Sequence, residues 1–156
     1  MKIIKYFFEF LFIITFFFIF KIIGYKNASN FGEFLGKKVG PFFRSKLKIQ
    51  ENLKNSNICN SEKDREILIK NMWGNYGRIL SEYIFLKEFR KNNLSKFCKI
   101  EGSEILDEIK KNNEQAVFIS GHFNNFELMA MEIEKAGINL CAIYRPLNNP
   151  FLNIIM

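Results

Sequence analysis

The chain has 156 residues and a formal charge of +7, with 23 Lys and Arg against 16 Asp and Glu. That length suits one domain beside an N-terminal anchor, and the charge suits anionic partners: a phosphorylated lipid, an acidic membrane surface, nucleic acid or an acidic carrier protein. Cys59, Cys98 and Cys141 are odd in number and far apart, which excludes a disulfide framework and any metal-ligand spacing with the sole histidine, and fits a reducing cytosol.

Met1 to Ile23 reads as a membrane segment. Phe10 to Phe20 is apolar except for Thr15, and Tyr6 to Ile23 is interrupted only by Glu9 and Lys21. This approaches the roughly 20 residues that a spanning helix needs. A cleaved signal peptide would want small residues at its cleavage site, yet the first alanine is Ala28. A monotopic anchor is the other competitor, because Glu9 is costly at depth. Lys2 and Lys5 precede the segment; Lys21, Lys26, Lys37, Lys38, Arg44, Lys46 and Lys48 follow it. The excess after the segment predicts that the remainder lies in the cytoplasm.

Residues 24–60 read as a basic, membrane-proximal region. Phe31, Phe34, Leu35, Phe42, Phe43 and Leu47 fall broadly on one helical stripe with basic residues between them. Pro41 after Gly40 predicts a break or kink. Such a helix lies at an anionic membrane surface or packs on a domain core with its basic face solvated. Asn52 to Asn60 is polar and reads as a loop.

The third region, 61–156, opens with Ser61 and Asp64 as a capping pair. The long helix that follows has Ile69, Met72, Trp73, Tyr76, Leu80, Tyr83 and Ile84 at the spacing of a buried face. Gly74 and Gly77 weaken that helix in isolation and predict close packing against another element. Lys99 to Gly102 reads as a short strand and turn, and Ser103 to Asn112 as a helix with Ile105, Leu106 and Ile109 inward. Ala116 to Ile119 is an apolar run that reads as a buried strand. A helix from Leu128 to Ala136, C-capped by Gly137, and a strand from Asn139 to Tyr144 follow. Strands alternating with helices predict an α/β fold with an incomplete βαβ, largely parallel sheet.

Between the first of those strands and the helix lies Ser120-Gly121-His122-Phe123-Asn124-Asn125-Phe126-Glu127. Loops at the carboxyl ends of such strands collect catalytic groups. A neutral imidazole takes a proton from a hydroxyl near pH 7. A carboxylate on its other nitrogen fixes the tautomer and stabilises the imidazolium. Glu127 stands five residues after His122, a separation that brings the two together if the turn is helical, and the natural reaction of an activated alcohol is acyl transfer to oxygen. The plain alternative is a histidine that caps the turn and a glutamate on a solvated helix face. Arg145 follows the last strand, so it is expected at the same sheet edge. It is suited there to a phosphate or a pantetheine phosphodiester, or else to a surface ion pair. Asn148-Asn149-Pro150 reads as a turn with proline starting a new helix.

Gly121-His122-Phe123-Asn124-Asn125-Phe126-Glu127-Leu128, followed by Tyr144-Arg145-Pro146 and Asn149-Pro150, resembles the lipid A biosynthesis acyltransferases, the lauroyl and myristoyl transferases of Gram-negative bacteria. These belong to the membrane acyltransferases marked by a histidine and an acid five residues apart. The glutamate resembles the lipid A branch; aspartate is usual in the glycerolipid branch. The resemblance runs to Met156 and covers about the first half of such a protein. It implies His122 as general base, Glu127 as its orienting partner, and Arg145, Asn125 and Asn149 as substrate-binding residues. It implies an acyl carrier protein thioester as donor and co-substrate, and a hydroxyl on a lipid A precursor as acceptor. Anionic membrane lipids are implied as surroundings at the inner membrane's cytoplasmic face. No metal, no other cofactor and no nucleic acid are implied. Family members continue with further strands and a downstream arginine-containing motif, so this chain alone is expected to be inactive. A catalytically silent fragment of a degraded or split frame and a small basic membrane-surface binding protein are the alternative readings.

Overall fold

A run that is apolar almost throughout leaves a backbone one way to satisfy its own polar groups in lipid, which is a helix. The computed structural model, which describes residues 2–56, 58 and 61–155, forms one there: α1, Lys2–Ile23. Its 22 residues extend about 33 Å at 1.5 Å per residue. With a mean hydropathy of 2.2 over its most apolar stretch, α1 is long and apolar enough to cross a membrane. Met1, Cys59, Met156 and the boundary expected at Asn60 lie outside the described residues.

The predicted sheet is not formed. Among the described residues there is no β-strand, and the elements are helices. A strand exists through the ladder that it shares with a neighbour. Lys99 to Gly102, Ala116 to Ser120 and Asn139 to Tyr144 share none. The residues that made these runs look like buried strands therefore lie open: Val117, Ile119 and Ile143 are 89%, 90% and 104% exposed. The βαβ reading is thus corrected to an all-helical arrangement. The loop expected from Asn52 is corrected too, since residues as far as Asn55 continue a helix.

The chain divides into two units, Ile13–Ile84 and Met1–Phe12 with Phe85–Met156. In the first unit α2 (Tyr25–Val39) ends in a 3-10 turn, Gly40–Phe42, that contains Pro41. Helix α3 (Lys46–Asn55) and the long α4 (Glu62–Glu82) follow. The expected cap opens α4: the Ser61 hydroxyl oxygen accepts from the Asp64 N–H at 3.1 Å. Helices α2 and α4 cross through small residues. Ala28, Ser29, Gly32 and Gly40 are buried on α2 and its following turn, and Gly74 and Ser81 on α4. A Cβ added at Gly77 would lie 2.8 Å from the carbonyl carbon of Gly32 and 3.0 Å from the Cα of Gly36. Main chain meets main chain there, as the glycines of α4 predicted. The aromatic stripe of α2 does not make this contact; Phe31 and Phe34 stay exposed.

Charged groups flank the crossing. Glu33 pairs with Lys37 on its own helix and with Arg78 of α4. The Arg78 guanidinium donates to the Ser29 hydroxyl at 2.9 Å, and that hydroxyl donates to Glu82 at 2.7 Å. The hydrogen bond from Lys37 is the main cause that holds the Glu33 carboxyl below its ordinary value of 4.5; partial burial opposes it, and the charges of Arg78 and Lys37 reinforce it. A depressed carboxylate contributes stability above its unfolded pKa, and that stability is lost as pH falls through the folded one. Thermal melts should therefore show this unit weakening as pH drops below about 4.5. Glu33→Gln should remove part of that dependence and cost about 1 kcal/mol at neutral pH. An unchanged pH profile in the variant would detach the loss from Glu33.

In the second unit α5 (Leu86–Arg90), α6 (Ser103–Asn112), α7 (Glu127–Lys135) and the short α8 (Leu152–Ile155) are linked by irregular chain. Phe85, Phe89, Met131, Ile133 and Leu152 are its buried apolar residues. Helix α5 meets α7, with Arg90 and Glu134 paired at 2.8 Å. Leu106 and Ile109 of α6 are half-buried, whereas Ile105 is exposed. Helix α7 ends as expected at Gly137, whose φ of 83° is left-handed and costs glycine little. The N–H of Ile138 then closes the helix on the Ile133 carbonyl at 3.4 Å.

Candidate active site

The segment from Gly121 to Phe126 is a tight turn. The Phe123 N–H donates to the Gly121 carbonyl at 2.8 Å, and the Phe126 N–H to the Asn124 carbonyl at 3.1 Å. Asn124 takes a left-handed φ of 51°, a conformation that asparagine tolerates better than most residues. The turn feeds α7, and Glu127 is that helix's first residue. A carboxylate there is favoured by the positive end of the helix dipole. The helix itself begins at Glu127, with Phe126 already in the right-handed helical region, so most of the interval from His122 is irregular chain.

His122 is exposed on this turn. Its ring meets that of Phe126, with centroids 4.4 Å apart and planes tilted by 56°. Phe126 is the residue that the sequence reading passed over. Its place four residues after His122 and directly before Glu127 was the available signal. The contact fixes one side of the imidazole and leaves the other open.

Asn125 is buried, and among the described residues neither its side-chain nitrogen nor its oxygen has a hydrogen-bond partner. A buried amide left unpaired is unusual and costly. Asn149 is also buried, but its amide is fully used. It donates to the Tyr6 carbonyl at 2.9 Å and to Glu9 at 3.3 Å. It accepts from the N–H groups of Phe151 and Leu152, at 3.1 and 3.4 Å, and so caps α8. The Phe151 ring also meets Phe7 of α1 edge-on and Phe10 at a tilt. Arg145 is exposed, and its guanidinium lies 3.5 Å from the Asn148 side-chain oxygen. With no sheet, the shared edge expected to align Arg145 with His122 is absent.

Below α7 lies an apolar cavity of about 420 Å³, lined in part by Ile105, Leu106, Phe118, Leu128, Met129 and Ile133. Leu128 and Met129 are the two residues after Glu127 on α7. Among the described residues no three His, Cys, Asp or Glu side chains come together as a metal site.

The model of the bacterial lipid A biosynthesis acyltransferases matches residues 1–156. The chain belongs to this family. Over 107 residues it is 28% identical to lipid A biosynthesis acyltransferase 2 of Shigella flexneri, an alignment that takes in 65% of this chain and 33% of that protein. The matched stretch thus covers about a third of the length of that curated relative. No solved structure matches it.

Proposed function

We propose that this sequence carries the general-base part of an O-acyltransferase that moves a fatty acyl group from acyl carrier protein to a hydroxyl of a lipid A precursor. His122 takes the hydroxyl proton as the oxygen attacks the thioester carbonyl. The carbon–sulfur bond then breaks, and the departing thiolate takes the proton back from the imidazolium. Glu127 orients the imidazole and stabilises its charged form. Asn125, within this turn, has a donor and an acceptor without a partner among the described residues, which supports its place among the substrate contacts. Arg145 holds an acidic group of donor or acceptor. The apolar cavity under α7 has a volume in the range of small-molecule sites and suits an acyl chain. The observation that carries the reading is the family match, with a histidine and a carboxylate at one turn–helix junction. The test is mass spectrometry after incubating the protein that bears this sequence with acyl carrier thioester and a lipid A precursor. The precursor should gain one acyl group. Release of free fatty acid without that gain would assign hydrolysis and overturn the proposal.

The reading places α1 in the bacterial inner membrane with the bulk of the chain on the cytoplasmic face, which the excess of positive charge after α1 supports. The Asn149 contacts bear on this. Tyr6 lies about 25 Å along the helix from Ile23 at 1.5 Å per residue, so a spanning α1 with a cytoplasmic remainder obliges Asn149 to leave that carbonyl. An α1 lying in the interface keeps the contact. The near-continuous apolar surface of α1 favours spanning. In a background with Cys59, Cys98 and Cys141 replaced by serine, Ile3→Cys should then react with an impermeant maleimide from the periplasmic side. Protection of that cysteine would instead place α1 flat, with Asn149 still bound.

A further inference from the structure

The first unit holds a second cavity, of about 250 Å³, between the Gly40–Phe42 turn, α3 and α4. Its lining includes Arg44, Lys46, Ile49, Ile69, Lys70 and Trp73. We propose that this cavity binds the headgroup phosphate of an anionic glycerophospholipid.

Charge is the first argument. The cavity is lined by Lys37, Arg44, Lys46 and Lys70 and by a single carboxylate, Glu66. Two of those cations are engaged, Lys37 with Glu33 and Lys46 with Glu66 at 3.5 Å. Among the described residues Arg44 and Lys70 have no acidic partner. Two unpaired cations lining a mostly apolar cavity suit a phosphodiester, and a guanidinium suits it best.

Trp73 is the second argument. Its ring lines the cavity, and its buried indole N–H finds no acceptor among the described residues, although buried indole donors usually have one. A small shift of the ring toward a bound phosphate oxygen would give that donor an acceptor.

The third argument commits the occupant to a membrane lipid. The volume is below the roughly 300–1,000 Å³ of sites that enclose a whole ligand, so the cavity takes one end of a larger molecule. Phe42, Phe43 and Leu47, beside the cavity's own Pro41, Arg44 and Lys46, are almost wholly exposed. Apolar side chains set among cations suit the boundary between headgroups and acyl chains. The same chain carries α1, which brings this surface to a bilayer. The site shares no residue with the His122 turn, and its test does not depend on acyl transfer.

Trp73 is the only tryptophan in the chain, so its emission reports on the cavity alone. The chain is reconstituted into phosphatidylcholine vesicles that contain a small, fixed fraction of brominated lipid, either phosphatidylglycerol or phosphatidylcholine. Brominated phosphatidylglycerol should quench Trp73 several-fold more strongly. Arg44→Ala with Lys70→Ala should abolish that preference, while Lys26→Ala with Lys54→Ala, which removes the same charge elsewhere in the unit, should leave it. Equal quenching by the two lipids would overturn the proposal. So would an equal loss in both double variants, which would mean diffuse attraction. Relief of the quenching by millimolar inorganic phosphate would reassign the cavity to a soluble anion.

Discussion

Replacing His122 by alanine in the protein that bears this sequence is expected, on the proposed mechanism, to lower the rate of acyl transfer by about 10²–10⁴-fold, the usual contribution of a positioned general base. The imidazole is exposed on the turn before α7 and is held on one side by the Phe126 ring, so removing it disturbs no buried contact. A fall in rate should therefore come without loss of folding. Glu127→Ala should also be severe in kcat, with KM for the lipid acceptor little changed, because its proposed task is to orient the base. Phe126→Leu should give a smaller loss and leave acceptor binding intact. Near-normal turnover by the His122→Ala protein would remove His122 from the chemistry. A matched rise in KM with unchanged kcat would make it a binding residue instead.

What the sequence made legible was local. Ser61 and Asp64 marked the start of α4, Ser103 to Asn112 coincides with α6, and Gly137 ends α7. Each signal concerns hydrogen bonds made within a few residues. The sheet was a non-local claim, because an apolar run becomes a strand only beside another strand, and here Val117, Ile119 and Ile143 have none. The aromatic spacing on α4 pointed to Trp73, Tyr76 and Leu80 as a buried face. Tyr76 and Leu80 are exposed, and the contact with α2 runs instead through Gly77 and Ser81. Periodicity weighs residues by hydrophobicity, so a contact made by small side chains leaves almost no trace in it. At the candidate site the motif picked out the turn and Glu127's helix. It could not show that Asn149 is occupied by α1, since that contact joins residues 140 or more positions apart.

The other large effect is expected in the α2–α4 crossing, where two neighbouring glycines should respond in opposite ways. A Cβ at Gly74 would approach Lys37 Cε at 2.8 Å and Glu33 Cγ at 3.0 Å, both on flexible side chains. Gly74→Ala should be tolerated and gain up to about 1 kcal/mol from helix propensity. A Cβ at Gly77 would meet the Gly32 main chain and the Cα of Gly36, which cannot give without separating the helices. Overpacking typically costs 1–3 kcal/mol, and here the same propensity gain offsets part of it. Gly77→Ala should therefore destabilise the unit by about 1–2 kcal/mol net. Gly77→Leu should exceed that range by forcing the helices apart and breaking the Arg78–Glu33 pair beside them. Thermal melts in detergent, followed by helical circular dichroism, would rank the variants. Gly77→Ala melting at or above Gly74→Ala would mean that the two helices do not approach through these glycines.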